Sequence, residues 1–376
     1  MAGIYIHIPF CWRKCHYCNF FSLASQKLRE PFLPALKKEV VLTRGYLAGE
    51  PVKTIYFGGG TPSVFDPMVL QEIIDLIDTD LAATPSSQEI TLEINPDDVT
   101  TAYIAQLRLT YINRFSIGIQ SFFDEDLKYL NRSHSSLQAI QSVKLLQEAG
   151  YENLSIDLIY GIPSSSNDRW LKNLETAFSL GVPHISAYAL TVEQKTPLAW
   201  MIDKQKSPPV NDETQVDQFK ILTDKAREQG YQNYEISNFC KPGWHARHNT
   251  NYWNGIPYLG LGPSAHSYNG ISRRWNISNL SEYIGGMTRG ECVYEEEILT
   301  PAQRYNEYVM TSLRTMWGCD EKRIYDFGFT MYDFFRKNAF PLIGKGLLME
   351  NSGVYFLTDE GKLFADRVAS ELFITD

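Results

Sequence analysis

Short hydrophobic runs recur along the first half of the chain, and segments with helical spacing fill the gaps between them. Ile4–Ile8, Thr54–Phe57, Ile90–Ile94, Arg114–Ile117, Leu154–Ile159 and His184–Tyr188 are rich in β-branched and aromatic residues. That composition predicts strands buried on both faces. Residues 30–47, 67–79, 100–109, 135–149 and 168–180 place apolar positions at helical spacing. Boundary residues agree with them: Asn167-Asp168 stands before Trp170, and Gly150 follows Glu148-Ala149. Strand and helix in alternation imply parallel pairing through right-handed crossovers. Periodicity alone leaves open a doubly wound sheet or an incomplete barrel. The segments after the strands favour the barrel: Pro9-Phe10-Cys11, Gly58-Gly59-Gly60-Thr61-Pro62, Asn95-Pro96-Asp97, Gly118-Ile119-Gln120-Ser121 and Tyr160-Gly161-Ile162-Pro163. In α/β folds such C-terminal strand ends build the active site, and their convergence suits a closed or nearly closed wall. The expected class is therefore α/β, a partial (β/α)6 barrel.

The pattern changes after residue 195. Residues 205–212 form a polar, proline-rich break, and 213–229 have amphipathic helical spacing. Residues 234–270 are dense in Gly, Pro, Asn, His and aromatics, so long functional loops are expected there. Near the C-terminus, a hairpin around Asn351-Ser352-Gly353 followed by a helix predicts a small winged-helix-like α+β module. The expected organisation is 1–195 as barrel, 196–290 as a loop-rich extension and 291–376 as the C-terminal module.

Composition narrows the function. A chain of 376 residues with 44% hydrophobic residues builds a sizeable core. A formal net charge of −9 argues against broad binding to nucleic acid or an anionic membrane. No apolar run reaches membrane-spanning length. The N-terminus lacks a basic region followed by a long apolar stretch, so no secretory signal is expected.

Three of the six cysteines, Cys11, Cys15 and Cys18, sit in one loop directly after the first strand; Cys240, Cys292 and Cys319 are isolated. Three clustered thiolates can wrap a [4Fe–4S] cluster, bind three of its irons and leave the fourth for an exogenous ligand. A zinc site completed by His7 or His16, or three structural thiols, remain alternatives at this point. Downstream, the glycine loop at 58–60 permits close approach of backbone to a ligand. Asp157, inside an apolar strand, is costly to bury unpaired. Arg132 has the planar fork that matches a carboxylate. Each also has a purely structural reading: a tight turn, a capped aspartate, a surface arginine.

Cys11-x3-Cys15-x-Tyr17-Cys18 resembles the radical SAM signature. The resemblance implies that S-adenosylmethionine binds the open iron through its amino and carboxylate groups. One electron from the cluster then cleaves the sulfonium to a 5′-deoxyadenosyl radical. It also implies roles around that ligand. Gly59, Gly60 and Thr61 would meet the methionine amino group, Glu93 the ribose, Arg132 the carboxylate and Tyr17 the adenine; Tyr5, Gln120 and Asp157 would complete the pocket.

The likeness is narrower than the superfamily. Tyr5-Ile6-His7-Ile8-Pro9-Phe10-Cys11, the GGGTP loop, EINP at 93–96, GIQSF at 118–122, Asn131-Arg132 and DLIYGIP at 157–163 occur in order. They resemble the coproporphyrinogen III dehydrogenases and their paralogues, the HemW heme chaperones. The dehydrogenases usually carry another Cys two positions after the third, where this chain has Phe20, and a long segment before the cluster loop. Both differences favour the chaperones. His248-Asn249-Thr250-Asn251-Tyr252-Trp253 is similar to their HNxxYW motif, which implies heme contacts at His248, Tyr252 and Trp253. His245 and His266 are competing ligands, and Cys240 a weaker one. The implied function is heme binding and transfer to acceptor proteins, with an electron donor for the cluster and no nucleic-acid partner. The alternative is oxidative decarboxylation of coproporphyrinogen III. An oxygen-sensitive cluster implies a reducing, cytoplasmic setting. Peripheral membrane association stays open, with no anchor visible in the sequence.

Overall fold

The computed structural model describes residues 1–81 and 88–375. Six parallel strands form where the apolar runs predicted them: β1 (Ala2–Ile8), β2 (Val52–Gly59), β3 (Glu89–Ile94), β4 (Arg114–Gln120), β5 (Leu154–Tyr160) and β6 (His184–Ala189), adjacent in chain order. Helices Arg29–Leu42, Pro67–Leu81, Thr101–Leu107, Ser136–Glu148 and Asn167–Ser179 return between them. The first expected helix is shorter than its periodicity implied, because turns take over after Leu42. The last begins at Asn167, one residue ahead of the expected start, and is capped by Ser166, whose hydroxyl accepts from the Arg169 amide.

The stretch 234–270, expected as loops, is instead woven into the same sheet. It contributes β7 (Gln232–Glu235), β8 (Asn238–Cys240), β9 (Tyr258–Leu261) and β10 (His266–Tyr268), with helix Arg247–Trp253 between them. β9 pairs in parallel with β1, adding a seventh parallel strand on the far side of the barrel wall. β11 (Ser272–Asn276) and β12 (Tyr294–Ile298) continue outward in antiparallel fashion. The order β12-β11-β10-β9-β1-β2-β3-β4-β5-β6-β8-β7 ends on different strands, so the barrel is open. These added strands are only three to five residues long. Their pairing is set by distant partners rather than by local alternation.

The parallel strands are buried on both faces. One face is apolar, and its side chains fill one continuous core from Ile4 and Phe57 through Ile117 to Ile185, while the other carries buried polar side chains such as His7, Thr91, Ser116 and His184. Glu39 is buried within that core, accepting from Tyr283 Oη at 2.6 Å, Gly262 N at 2.7 Å and Asn276 Nδ2 at 2.6 Å. It thereby ties the first helix to the outer strands. A second core, around Tyr305, Phe335 and Leu342, belongs to the C-terminal module. There β13 (Cys319–Asp320), β14 (Leu348–Asn351) and β15 (Val354–Leu357) form a small antiparallel sheet. Ser352 and Gly353 join β14 to β15 with φ of 55° and 82°, the left-handed turn that the Asn-Ser-Gly sequence announced. Cys240 and Cys319 are fully buried, and Cys292 packs against the main core.

Candidate functional site

The cysteine loop leaves β1 and is closed at its neck by backbone bonds, Leu23 N to Pro9 O at 2.8 Å and Cys11 N to Leu23 O at 3.0 Å. Its middle is held from both sides. His16 donates its amide to Leu130 O, accepts from Leu198 N, and meets Tyr129 O through Nδ1 at 2.9 Å. His16 is thus a loop anchor. His7 is likewise engaged, by Phe21 O at 2.8 Å and Tyr5 Oη at 3.2 Å. Among the described residues no three His, Cys, Asp or Glu side chains converge on one point, as a single zinc ion requires. Three thiols on one loop at the edge of a cavity suit a polynuclear cluster, each meeting its own iron. Burial raises the thiol pKa of Cys11 and Cys18. Thr61 Oγ1 lies 3.5 Å from Cys11 Sγ and Arg132 Nη1 3.3 Å from Cys15 Sγ.

A cavity of about 580 Å³ opens over these thiols at the C-terminal strand ends. It gathers Tyr17, Gly59, Gly60, Thr61, Glu93, Gln120, Arg132 and Asp157 around Cys11, Cys15 and Cys18. The glycines are needed. Gly59 has φ of 109°, and a Cβ on Gly60 would lie 2.6 Å from Phe10 O and 2.9 Å from Ile8 O. The loop amides turn inward: Gly59 N to Glu93 Oε2, Gly60 N to Ile8 O and Thr61 N to Phe10 O. Glu93 also accepts from Tyr56 Oη at 2.8 Å, and burial, aided by nearby Asp157, raises its carboxyl pKa to about 7. Asp157 accepts from Ser116 Oγ, and burial raises it to about 6. Arg132 Nη2 donates to Asn95 Oδ1 at 2.7 Å and Gly118 O at 2.6 Å, while its buried Nε has no protein partner among the described residues. Gln120 sits at φ of 68°, beside the register shift between β4 and β5.

A second cavity, of about 1110 Å³, lies between the sheet and the C-terminal module. The two share Asn19, Phe20 and Glu93 as lining. Aromatic side chains line much of its wall, among them Tyr252, Trp253, Tyr258, Tyr268 and Phe327.

The model of the radical SAM superfamily matches residues 5–177. The heme chaperone HemW of Bacillus subtilis (strain 168) is 32% identical, over 98% of this chain and 98% of that protein. The HemW of Escherichia coli (strain K12) is 31% identical, over 100% of this chain and 98% of its own length. The chain belongs to the HemW family. The structure of the Escherichia coli coproporphyrinogen III oxidase, a radical SAM enzyme, shares the fold at a TM-score of 0.85 and 21% identity, covering 99% of this chain and 90% of that one.

Radical SAM proteins work with a [4Fe–4S] cluster and S-adenosylmethionine, and the residues here fit both. Three thiols flank the smaller cavity, glycine takes the place of any side chain at 59 and 60, and Arg132, whose buried Nε has no partner among the described residues, lines it. Eight of the nine expected S-adenosylmethionine contacts line this cavity. The ninth, Tyr5, lies against the larger one, stacked on Tyr56. Tyr5 and His7 share one face of β1, six and four residues ahead of Cys11, and both line the larger cavity.

The HNxxYW segment is helical, Arg247–Trp253. His248 is buried, with Nδ1 on Thr54 Oγ1 and Nε2 on Tyr252 Oη, both at 2.8 Å. Burial, with Arg114 nearby, lowers its pKa to about 3. It lines the larger cavity beside Tyr252 and Trp253, yet both its nitrogens are engaged. Sequence reasoning missed Asn95 and Ser116, which fix Arg132 and Asp157, and missed Phe20 as a shared wall. A polar residue just past a strand end was the only available signal for Asn95.

Proposed function

We propose that the chain holds heme in the larger cavity and passes it to acceptor proteins, with a [4Fe–4S] cluster and S-adenosylmethionine bound next door. The observation that carries this reading is the juxtaposition of the two cavities in a chain of this family. One is walled by thiols and polar strand ends, the other by aromatic rings suited to a flat apolar macrocycle. No helix of the described residues is long and apolar enough to cross a membrane. A cluster of this kind needs a reducing compartment, so we place the protein in the cytoplasm, with acceptors that include membrane-bound ones.

In this reading Cys11, Cys15 and Cys18 each bind an iron. Arg132, already beside Cys15, meets the carboxylate of S-adenosylmethionine. Glu93 accepts from its ribose hydroxyls, Tyr17 packs on its adenine, and the loop at 59–61 offers carbonyl oxygen to its ammonium. Asp157 and Gln120 close the far wall. When bound, the cluster and its ligand supply one-electron chemistry. The protein's contribution is to position both and to exclude water. An electron donor supplies the cluster. Tyr252 and Trp253 wall the heme, and His248 braces Tyr252 from behind. Phe20, 67% exposed, stands where the dehydrogenases carry another cysteine, which weighs against porphyrinogen oxidation.

The test uses the anaerobically reconstituted chain. Titration with hemin is followed by the Soret band, while coproporphyrinogen III turnover is assayed in parallel with S-adenosylmethionine and a reductant. Saturable heme binding without decarboxylation supports the chaperone. Formation of protoporphyrinogen would refute it.

A further inference from the structure

We infer that His266, rather than His248, is the protein ligand to the heme iron, and that Arg273 and Arg304 hold the heme propionates. This rests on the reading of the larger cavity as the heme site. Three of the seven histidines line that cavity: His7, His248 and His266. A metal ligand must present a ring nitrogen with a free lone pair. His7 is engaged by Tyr5 and Phe21 and His248 by Thr54 and Tyr252, so both are occupied at each nitrogen. His266 is exposed to the cavity, and neither of its nitrogens has a hydrogen-bond partner among the described residues. Its ring is nonetheless oriented. It stacks on Trp275, its register partner on β11, with centroids 6.2 Å apart and planes 27° apart.

The same face supplies the anchors. Tyr268 and Arg273 are the next facing pair along the β10–β11 hairpin, and both line the cavity. Arg304 and Arg323 enter from the C-terminal module. Arg273 pairs with Glu307 at 2.8 Å, and the buried Nε atoms of Arg273 and Arg304 have no partner among the described residues. Three guanidiniums thus outnumber the carboxylates Glu307 and Asp320 on that side of the cavity. A flat iron macrocycle with two carboxylates matches this set: imidazole for the metal, aromatic walls for the ring, planar forks for the propionates.

The experiment is a hemin titration of the reconstituted full chain, read by Soret and visible bands. His266→Ala is expected to weaken binding at least tenfold and to lose the histidine-ligated spectrum, and added imidazole to restore that spectrum. His245→Gln, at a side chain that packs behind the cavity wall between Tyr234 and Trp317, is expected to keep the histidine-ligated spectrum of the unaltered chain. Arg304→Gln is expected to weaken hemin about tenfold while leaving hemin dimethyl ester unaffected. If His266→Ala keeps the spectrum and affinity while the unaltered chain binds heme, this assignment is wrong and the chaperone reading stands. If the unaltered chain binds no heme, both fall.

Discussion

Glu93 offers a substitution whose effects on fold and ligand run in opposite directions. Burial raises its carboxyl from an ordinary 4.5 to about 7. Between those values the folded chain binds a proton more tightly than the unfolded chain does, so stability falls as pH rises through the window and is lowest above it. At about 1.4 kcal/mol per pH unit, the gap corresponds to about 3 kcal/mol. Glu93→Gln removes that cost. It retains an acceptor for Tyr56 Oη but loses the one serving Gly59 N, worth about 1 kcal/mol. The variant should therefore be about 2 kcal/mol more stable than the original at pH 8 and no more stable at pH 4.5. Its affinity for S-adenosylmethionine should drop about tenfold, because a neutral amide accepts more weakly from the ribose hydroxyls. Denaturant unfolding of the cluster-free chain across pH 4.5–8 measures the first effect, and equilibrium binding to the reconstituted chain the second. Parallel stability profiles for the two chains would refute the argument that burial of this carboxylate governs its protonation.

Other expectations follow from single contacts. Gly60→Ala drives a methyl into the carbonyls of Ile8 and Phe10, just ahead of Cys11, so iron content after reconstitution should fall by more than half. Arg132→Lys keeps the charge but loses the fork that spans Asn95, Gly118 and Cys15. S-adenosylmethionine affinity should fall about tenfold with iron content unchanged, measured by calorimetry and iron assay. Glu39→Leu strands three buried donors and should cost about 3–5 kcal/mol in denaturant unfolding, with reconstitution of the remaining folded chain unaffected.

The barrel strands were legible because each is a short run rich in β-branched and aromatic residues and buried on both faces, a pattern written locally. The cysteine loop was legible because ligand spacing is itself local. The outer strands were not: Tyr258–Leu261 and His266–Tyr268 are short, sit among glycines and prolines, and owe their conformation to pairing with β1 and β11. The same limit applies within the site. Arg132 and Asp157 were identifiable from their neighbours in sequence, but Asn95 and Ser116, which orient them, act across strands. Tyr5 was expected in the S-adenosylmethionine pocket and lines the larger cavity, six residues ahead of Cys11. His248 was read as a heme-contact candidate in a loop-rich stretch; a helix presents it to Thr54 and buries it.

The central claim, that cluster and heme occupy adjoining cavities, is tested most directly by anomalous diffraction at the iron edge from crystals of the reconstituted, heme-loaded chain. The account predicts two iron sites, one bonded to Cys11, Cys15 and Cys18 and one inside the cavity walled by Tyr252, Trp253 and Phe327. A heme iron found outside that cavity, on the surface or over the cysteine loop, would contradict it.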